Sequence, residues 1–108
     1  MIGKLALIAK RGFYCESCIF QENYPAEIGL EVHHCLFHRK KGYSVLDEEY
    51  NLAVVCGFCH PYCNGHPFRV RFWKEQQKRY PVIELRAWIS RVKDAGLVVE
   101  AWIEEGIQ

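Results

Sequence analysis

Residues 51–60 read Asn51-Leu52-Ala53-Val54-Val55-Cys56-Gly57-Phe58-Cys59-His60. The apolar, β-branched run at its start is typical of a short strand. The cysteine pair follows at once, and a two-residue gap lets both thiolates of one turn reach a single tetrahedral metal ion. His60 comes directly after the pair, so a metal ion in the turn would also fix the position of its imidazole. This stretch predicts a strand that ends in a metal-binding turn.

A second cysteine pair with the same spacing lies upstream, at Cys15-Glu16-Ser17-Cys18. Two such turns complete the four-cysteine shell of a structural zinc site. We therefore expect Cys15, Cys18, Cys56 and Cys59 to bind one structural Zn²⁺. Two further cysteines are left over: Cys35 and Cys63 are expected to be buried thiols, with Cys63 as an alternative ligand because it lies four residues past Cys59.

A zinc finger with two cysteines and two histidines is the other grouping that the spacing allows. His34-x3-His38 follows Cys18 at a finger-like distance. That grouping leaves the second cysteine pair without a function, and residues 19–32 show no amphipathic helix leading into the histidines. The four-cysteine site is the better interpretation.

The composition predicts one globular domain, residues 1–108. Half of the chain is apolar, a quarter is charged, and the formal net charge is +1, which argues against a disordered or coiled-coil chain. Six cysteines without an export signal favour metal binding over a disulfide framework. No apolar run is long enough to span a membrane, so we expect a cytoplasmic protein.

The periodicity predicts an α+β layout. Residues 29–36 read as a strand with Leu30, Val32 and His34 on one face, and residues 37–49 read as a loop. Residues 1–14 are expected to pack against the first cysteine pair. Three helices are expected: a short one beginning near Phe58 or Cys59, one over 67–80 with an aromatic stripe that suits core packing, and one from Val82 to a stop at Gly96. Residues 97–107 form a further apolar segment, which is a helix or a strand, with the helix favoured.

The charges are distributed unevenly. Residues 69–93 carry eight basic against two acidic residues, and the final twelve residues carry three glutamates and no base. A basic helix can bind phosphates, and it can equally be a solvated face. With the basic loop at 38–41, the candidate DNA-binding residues are Arg39, Lys40, Arg69 and Arg71.

Two linked segments resemble the HNH endonuclease family. Glu31-Val32-His33-His34 is followed after 16 residues by the 51–60 stretch, and the Asn-Leu-x3-Cys-x2-Cys-His form is close to the second half of the family motif. The first cysteine pair lies where the zinc-bearing members have theirs. The resemblance covers residues 13–66, and residues 72–76 more weakly resemble small phage-type members. It implies a zinc-bound ββα-metal (HNH, or His-Me finger) core over 13–66, with a helical C-terminal extension over 67–108.

The resemblance also implies a metal-dependent DNA endonuclease with named residue roles. His34 would be the general base, His33 and His60 would bind one catalytic divalent ion, and Asn51 would fix the loop and orient His34. Many members have aspartate where this chain has His33, so the site is nitrogen-rich and admits Mn²⁺, Ni²⁺ or Zn²⁺ as well as Mg²⁺. Asn64 lies where some members place a further ligand and His66 follows shortly, so either of them, or neither, would complete the ligand shell.

Two other classes of function stay open at this point. A non-catalytic, zinc-stabilised DNA-binding module would need only the cysteines and the basic residues, and a protein-interaction domain would give the histidines structural roles. A zinc deaminase is excluded, because the chain has neither His-x-Glu nor Pro-Cys-x2-Cys. The expected partner is the phosphate backbone of DNA, without a membrane, in a bacterial or phage-infected cell. The sequence does not set the oligomeric state.

Overall fold

The computed structural model describes residues 2–21 and 29–107. It combines a two-stranded antiparallel sheet with five helices, which confirms the predicted α+β class in its general form. The strands are β1 (Leu30–His34) and β2 (Leu52–Cys56), and the helices are α1 (Lys4–Lys10), α2 (Glu16–Gln21), α3 (His66–Arg79), α4 (Val82–Asp94) and α5 (Ala101–Glu105). Among the described residues, no helix has the length and apolar character needed to cross a membrane.

The sheet register places the histidines on opposite faces of β1. His33 pairs with Ala53 and His34 pairs with Leu52. Every residue of β2 is buried, because elements cover both sides of this strand. The alternation that the sequence predicted for β1 therefore places His33 and His34 on opposite faces, whereas β2 is apolar on both faces.

The first face of the sheet is covered by α1, a helix that the sequence analysis did not predict. Leu7 and Ile8 of α1 pack with Leu52 and Val54 of β2 in a small separate core. The helix ends at a turn in which Gly12 adopts φ 94°, a conformation that favours glycine because a Cβ atom is strained there.

The second face of the sheet packs into the main core with α3 and α4. Phe72, Trp73 and Trp88 are almost fully buried there, so the aromatic stripe serves core packing. Both buried indoles donate hydrogen bonds to backbone carbonyls: Trp73 Nε1 to Ile103 O at 2.8 Å, and Trp88 Nε1 to Val45 O at 2.9 Å. The second contact attaches α4 to the loop between the strands.

Two of the remaining predicted segments differ from the observed structure. The short helix expected near Phe58 is a single 3-10 turn over His60–Tyr62, because the chain is already extended at Gly65, the N-cap residue of α3. Helix α4 ends as predicted, with Gly96 at φ 85°. Within 97–107, only Ala101–Glu105 is helical. The inter-strand loop contains two 3-10 turns, Ser44–Asp47 and Glu49–Asn51.

Candidate metal centre and histidine site

The two cysteine turns come together as one group. The sulfurs of Cys15, Cys18, Cys56 and Cys59 all lie within 4.8 Å of one another. Cys18 Sγ is 3.9 Å from Cys56 Sγ and 3.5 Å from Cys59 Sγ. Four thiolates about 2.3 Å from a tetrahedral zinc ion have sulfurs roughly 3.8 Å apart. The group can therefore hold a structural metal such as zinc.

The chemistry of these thiols also fits a metal ion. All four are free cysteines, and three of them are buried. Burial raises the pKa of the Cys18 thiol, and hydrogen bonding to the neighbouring thiols adds to the effect. A divalent cation offsets that cost, because it stabilises the thiolate form of its ligands.

The two remaining cysteines lie outside this group. Cys63 donates its thiol hydrogen to the carbonyl of Cys59 at 3.1 Å, and burial raises the pKa of Cys63 to about 12. Cys35 is buried as expected. The finger-like grouping is not formed, because the second cysteine pair completes the shell and His34 bonds elsewhere.

The first cysteine turn is attached to the outer edge of β2. The backbone N–H of Cys56 donates to Cys15 Sγ at 3.2 Å, and the N–H of Val54 donates to the carboxylate of Glu16. Buried Glu16 also pairs with two cations: Arg11 Nη1 lies 3.2 Å from Oε2, and Arg79 Nη1 lies 2.5 Å from Oε1. Sequence reasoning missed this network, since no local pattern marks a contact between α2, α1 and the end of α3.

His33 and His60 form a pair of imidazoles beside the cysteine group. Their ring centres are 5.0 Å apart. His33 Nε2 lies 3.2 Å from the carbonyl oxygen of Cys63, and His60 Nδ1 lies 2.5 Å from Glu31 Oε2. A carbonyl and a carboxylate can only accept, so these two nitrogens carry the hydrogens. Among the described residues, the other nitrogen of each ring has no hydrogen-bond partner.

This arrangement has the features of a two-histidine metal site. Two imidazoles that bind one ion through nitrogens about 2.1 Å from it have ring centres roughly 4.5–5.5 Å apart. Histidines that bind metals usually donate their second N–H to a carbonyl or a carboxylate. Burial, with a smaller effect of neighbouring His60, lowers the pKa of His33 to about 4, so its ring is neutral at pH 7, as a ligand must be.

The candidates for a third ligand lie further along the chain. His66 is exposed, and its ring packs edge-on against Trp102 with centres 5.0 Å apart. Asn64 is exposed and lines a cleft of about 280 Å³ together with His38, Lys40 and Arg69.

His34 lies on the face of β1 that α1 covers. Its Nε2 is 2.8 Å from Asp47 Oδ1. The two residues line a cleft of about 250 Å³ that also contains Lys4 and Arg39. The cleft therefore brings a histidine, its carboxylate partner and two cations together. The sequence analysis named His34 and Arg39 but not Asp47 or Lys4.

Asn51 is fully buried and organises the loop between the strands. Its Oδ1 accepts from the N–H groups of Leu36 and Phe37, each at 2.9 Å. Its Nδ2 donates to the carbonyls of Phe37 at 2.9 Å and Leu46 at 2.8 Å. All four bonding positions of the amide are used, so Asn51 fixes both ends of this loop.

The candidate DNA-binding residues differ in their surroundings. Arg39, Lys40 and Arg71 are exposed. Arg69 instead donates to the carbonyls of Cys35 and Leu36 and pairs with Glu100 at 2.5 Å, so its guanidinium is already bonded within the protein.

Ion pairs within the protein neutralise much of the basic 69–93 segment. Five of its eight basic residues pair with a carboxylate, and these residues are Arg69, Lys78, Arg79, Arg91 and Lys93. Within the described parts of the chain, Arg71, Lys74 and Arg86 have no such partner. The exposed basic character is thus smaller than the sequence count suggests.

Comparisons with protein-family models, with curated proteins and with solved structures found no match to this chain.

Proposed function

We propose that this protein is a metal-dependent DNA endonuclease of the HNH type, with a structural zinc in the four-cysteine group. The observation that carries the proposal is the His33–His60 pair, with ring centres 5.0 Å apart. Each ring has one nitrogen bonded within the protein and, among the described residues, one nitrogen without a hydrogen-bond partner. A divalent ion bound there supplies charge neutralisation at a phosphate and at its leaving oxygen.

The end of β1 offers a place for the phosphodiester. Among the described residues, β1 pairs with β2 along one edge only. A nucleic-acid backbone that crosses the other edge at residues 33 and 34 meets the His33–His60 pair on one face and His34 on the other. His34 takes the proton of the attacking water, since imidazole is the side chain that most often serves as a general base. Exposed Arg39 and Lys40 in the following loop contact flanking phosphates.

The decisive experiment measures conversion of supercoiled plasmid by protein that retains one equivalent of zinc. Mg²⁺, Mn²⁺, Ni²⁺ or additional Zn²⁺ is added separately to the wild type, to His34→Ala and to His38→Ala. Loss of a general base lowers a rate by about 10²–10⁴-fold, so we expect cleavage to vanish in His34→Ala. His38→Ala, which removes an exposed histidine from the neighbouring loop, should cleave normally.

Calorimetry tests the metal site independently of cleavage. Glu31→Gln should weaken binding of the second ion by about 10–100-fold, because it removes the carboxylate that orients His60. The four-cysteine site should keep its zinc in that variant. Binding of a single zinc with no second ion and no cleavage, alongside measurable DNA affinity, would instead support the non-catalytic DNA-binding module.

A further inference from the structure

We infer that Asp47 is the positioning residue for His34 and that it fixes which ring nitrogen of His34 acts as the base. This inference rests on the endonuclease proposed above. Its starting point is the 2.8 Å contact between His34 Nε2 and Asp47 Oδ1. The two residues are 13 positions apart, so the contact arises from the fold and not from a local sequence motif.

The contact sets the tautomer of the ring. An ionised carboxylate only accepts hydrogen bonds, so Nε2 of His34 carries the hydrogen and Nδ1 carries the lone pair. Among the described residues, no second hydrogen bond reaches the His34 ring. Nδ1 is thus the nitrogen that can accept a proton from water. A carboxylate in this position also stabilises the imidazolium that forms after proton transfer.

The backbone on both sides of Asp47 is fixed, which makes it a precise partner. The carbonyl of Leu46 accepts from Asn51 Nδ2 at 2.8 Å, and the carbonyl of Glu48 accepts from the N–H of Asn51 at 3.0 Å. Asn51 therefore acts on His34 through the loop that carries Asp47, since no hydrogen bond joins Asn51 and His34 directly among the described residues.

The surroundings match a site for a phosphodiester. The cleft that contains His34 and Asp47 is also lined by Lys4 and Arg39. The side chains of His34 and Asp47 are 21% and 32% exposed, so water and substrate reach the pair. Two cations offset the charge that the Asp47 carboxylate presents to a phosphate.

The test combines nitrogen NMR of the His34 ring with steady-state kinetics on the zinc-loaded full chain. The variants are Asp47→Asn, Asp47→Glu and the control Glu48→Gln, which alters the adjacent acid that pairs with Arg91. The wild type should show His34 predominantly with hydrogen on Nε2. Asp47→Asn should show mixed tautomers and a kcat lower by about 10²–10⁴-fold, with KM for DNA changed by less than about threefold.

The two remaining variants separate positioning from folding. Asp47→Glu should restore the tautomer and part of kcat, and Glu48→Gln should match the wild type in both. An unchanged tautomer and an unchanged kcat in Asp47→Asn would overturn the inference and leave the endonuclease standing. A wild type that cleaves no DNA with any of the four metals would overturn the endonuclease and, with it, the catalytic part of this inference.

Discussion

Replacing Asn51 with alanine tests how the loop between the strands is held. The substitution leaves four backbone groups without their partner: two N–H groups and two carbonyls. Leu36 and Leu46 are 2% exposed, so their groups cannot readily turn to water. Phe37 is half-buried, so its freed backbone N–H and carbonyl can form hydrogen bonds with water instead. Each buried unpaired group costs about 1–3 kcal/mol, which gives about 2–6 kcal/mol for the two.

That loss is large against a total stability of about 5–15 kcal/mol for a single domain. At about 4 °C per kcal/mol, Tm should fall by roughly 8–24 °C. Thermal and urea unfolding of zinc-loaded protein measures the effect, and hydrogen exchange reports the amides of Leu36 and Phe37. Tyr50→Phe is the control, because it removes only an exposed hydrogen bond to Glu84 and should cost less than about 0.5 kcal/mol. A loss below about 1 kcal/mol in Asn51→Ala, with both amides still protected, would refute the reasoning.

Three further predictions concern the metal, the pH and the DNA contact. Cys56→Ser should lose zinc and unfold at lower denaturant concentration, whereas Cys35→Ser should bind one zinc normally, as metal analysis and urea titration will show. Hydrogen bonds from Arg69 and Trp102 hold the pKa of Glu100 below its ordinary value of 4.5. The stability from this ionised group is therefore present above about pH 4.5 and is lost as the pH falls through the lowered pKa. Unfolding free energies of wild type and Glu100→Gln should differ at pH 7 and converge once the pH is below that lowered pKa. Arg39→Ala should weaken DNA binding and reduce the salt-dependence slope by about one, while Arg91→Ala should leave the slope unchanged in the same fluorescence titration.

The features that the sequence predicted are those that depend on local spacing. The sequence predicts that the two cysteine pairs share one site because both have a two-residue gap, and the four sulfurs do come together. The strands and the helix predicted from Pro67 follow from short-range periodicity. Gly96 ends α4 as predicted, with a left-handed φ that favours glycine. The metal-binding and catalytic roles of His33, His34 and His60 stay predictions.

The features that the sequence did not predict depend on contacts between distant residues. The loop around Asp47 reads as polar and turn-rich, and nothing in that composition marks the contact with His34. Arg69 looked like a phosphate ligand from its charge, yet its donors are bonded within the protein. Glu16 lies between two cysteines, where its sequence context does not reveal that it is 1% exposed.

The contact between the first cysteine turn and the outer edge of β2 has a consequence for the protein without its metal. With Cys15 and Glu16 in place, the N–H groups of Val54 and Cys56 have acceptors and cannot pair with another chain. Removing an ion bound by the four cysteines would release the turn and leave an apolar, β-branched strand with an open edge, the usual starting point for intermolecular strand pairing. For zinc-loaded protein, chelation should therefore produce aggregates rich in β-structure.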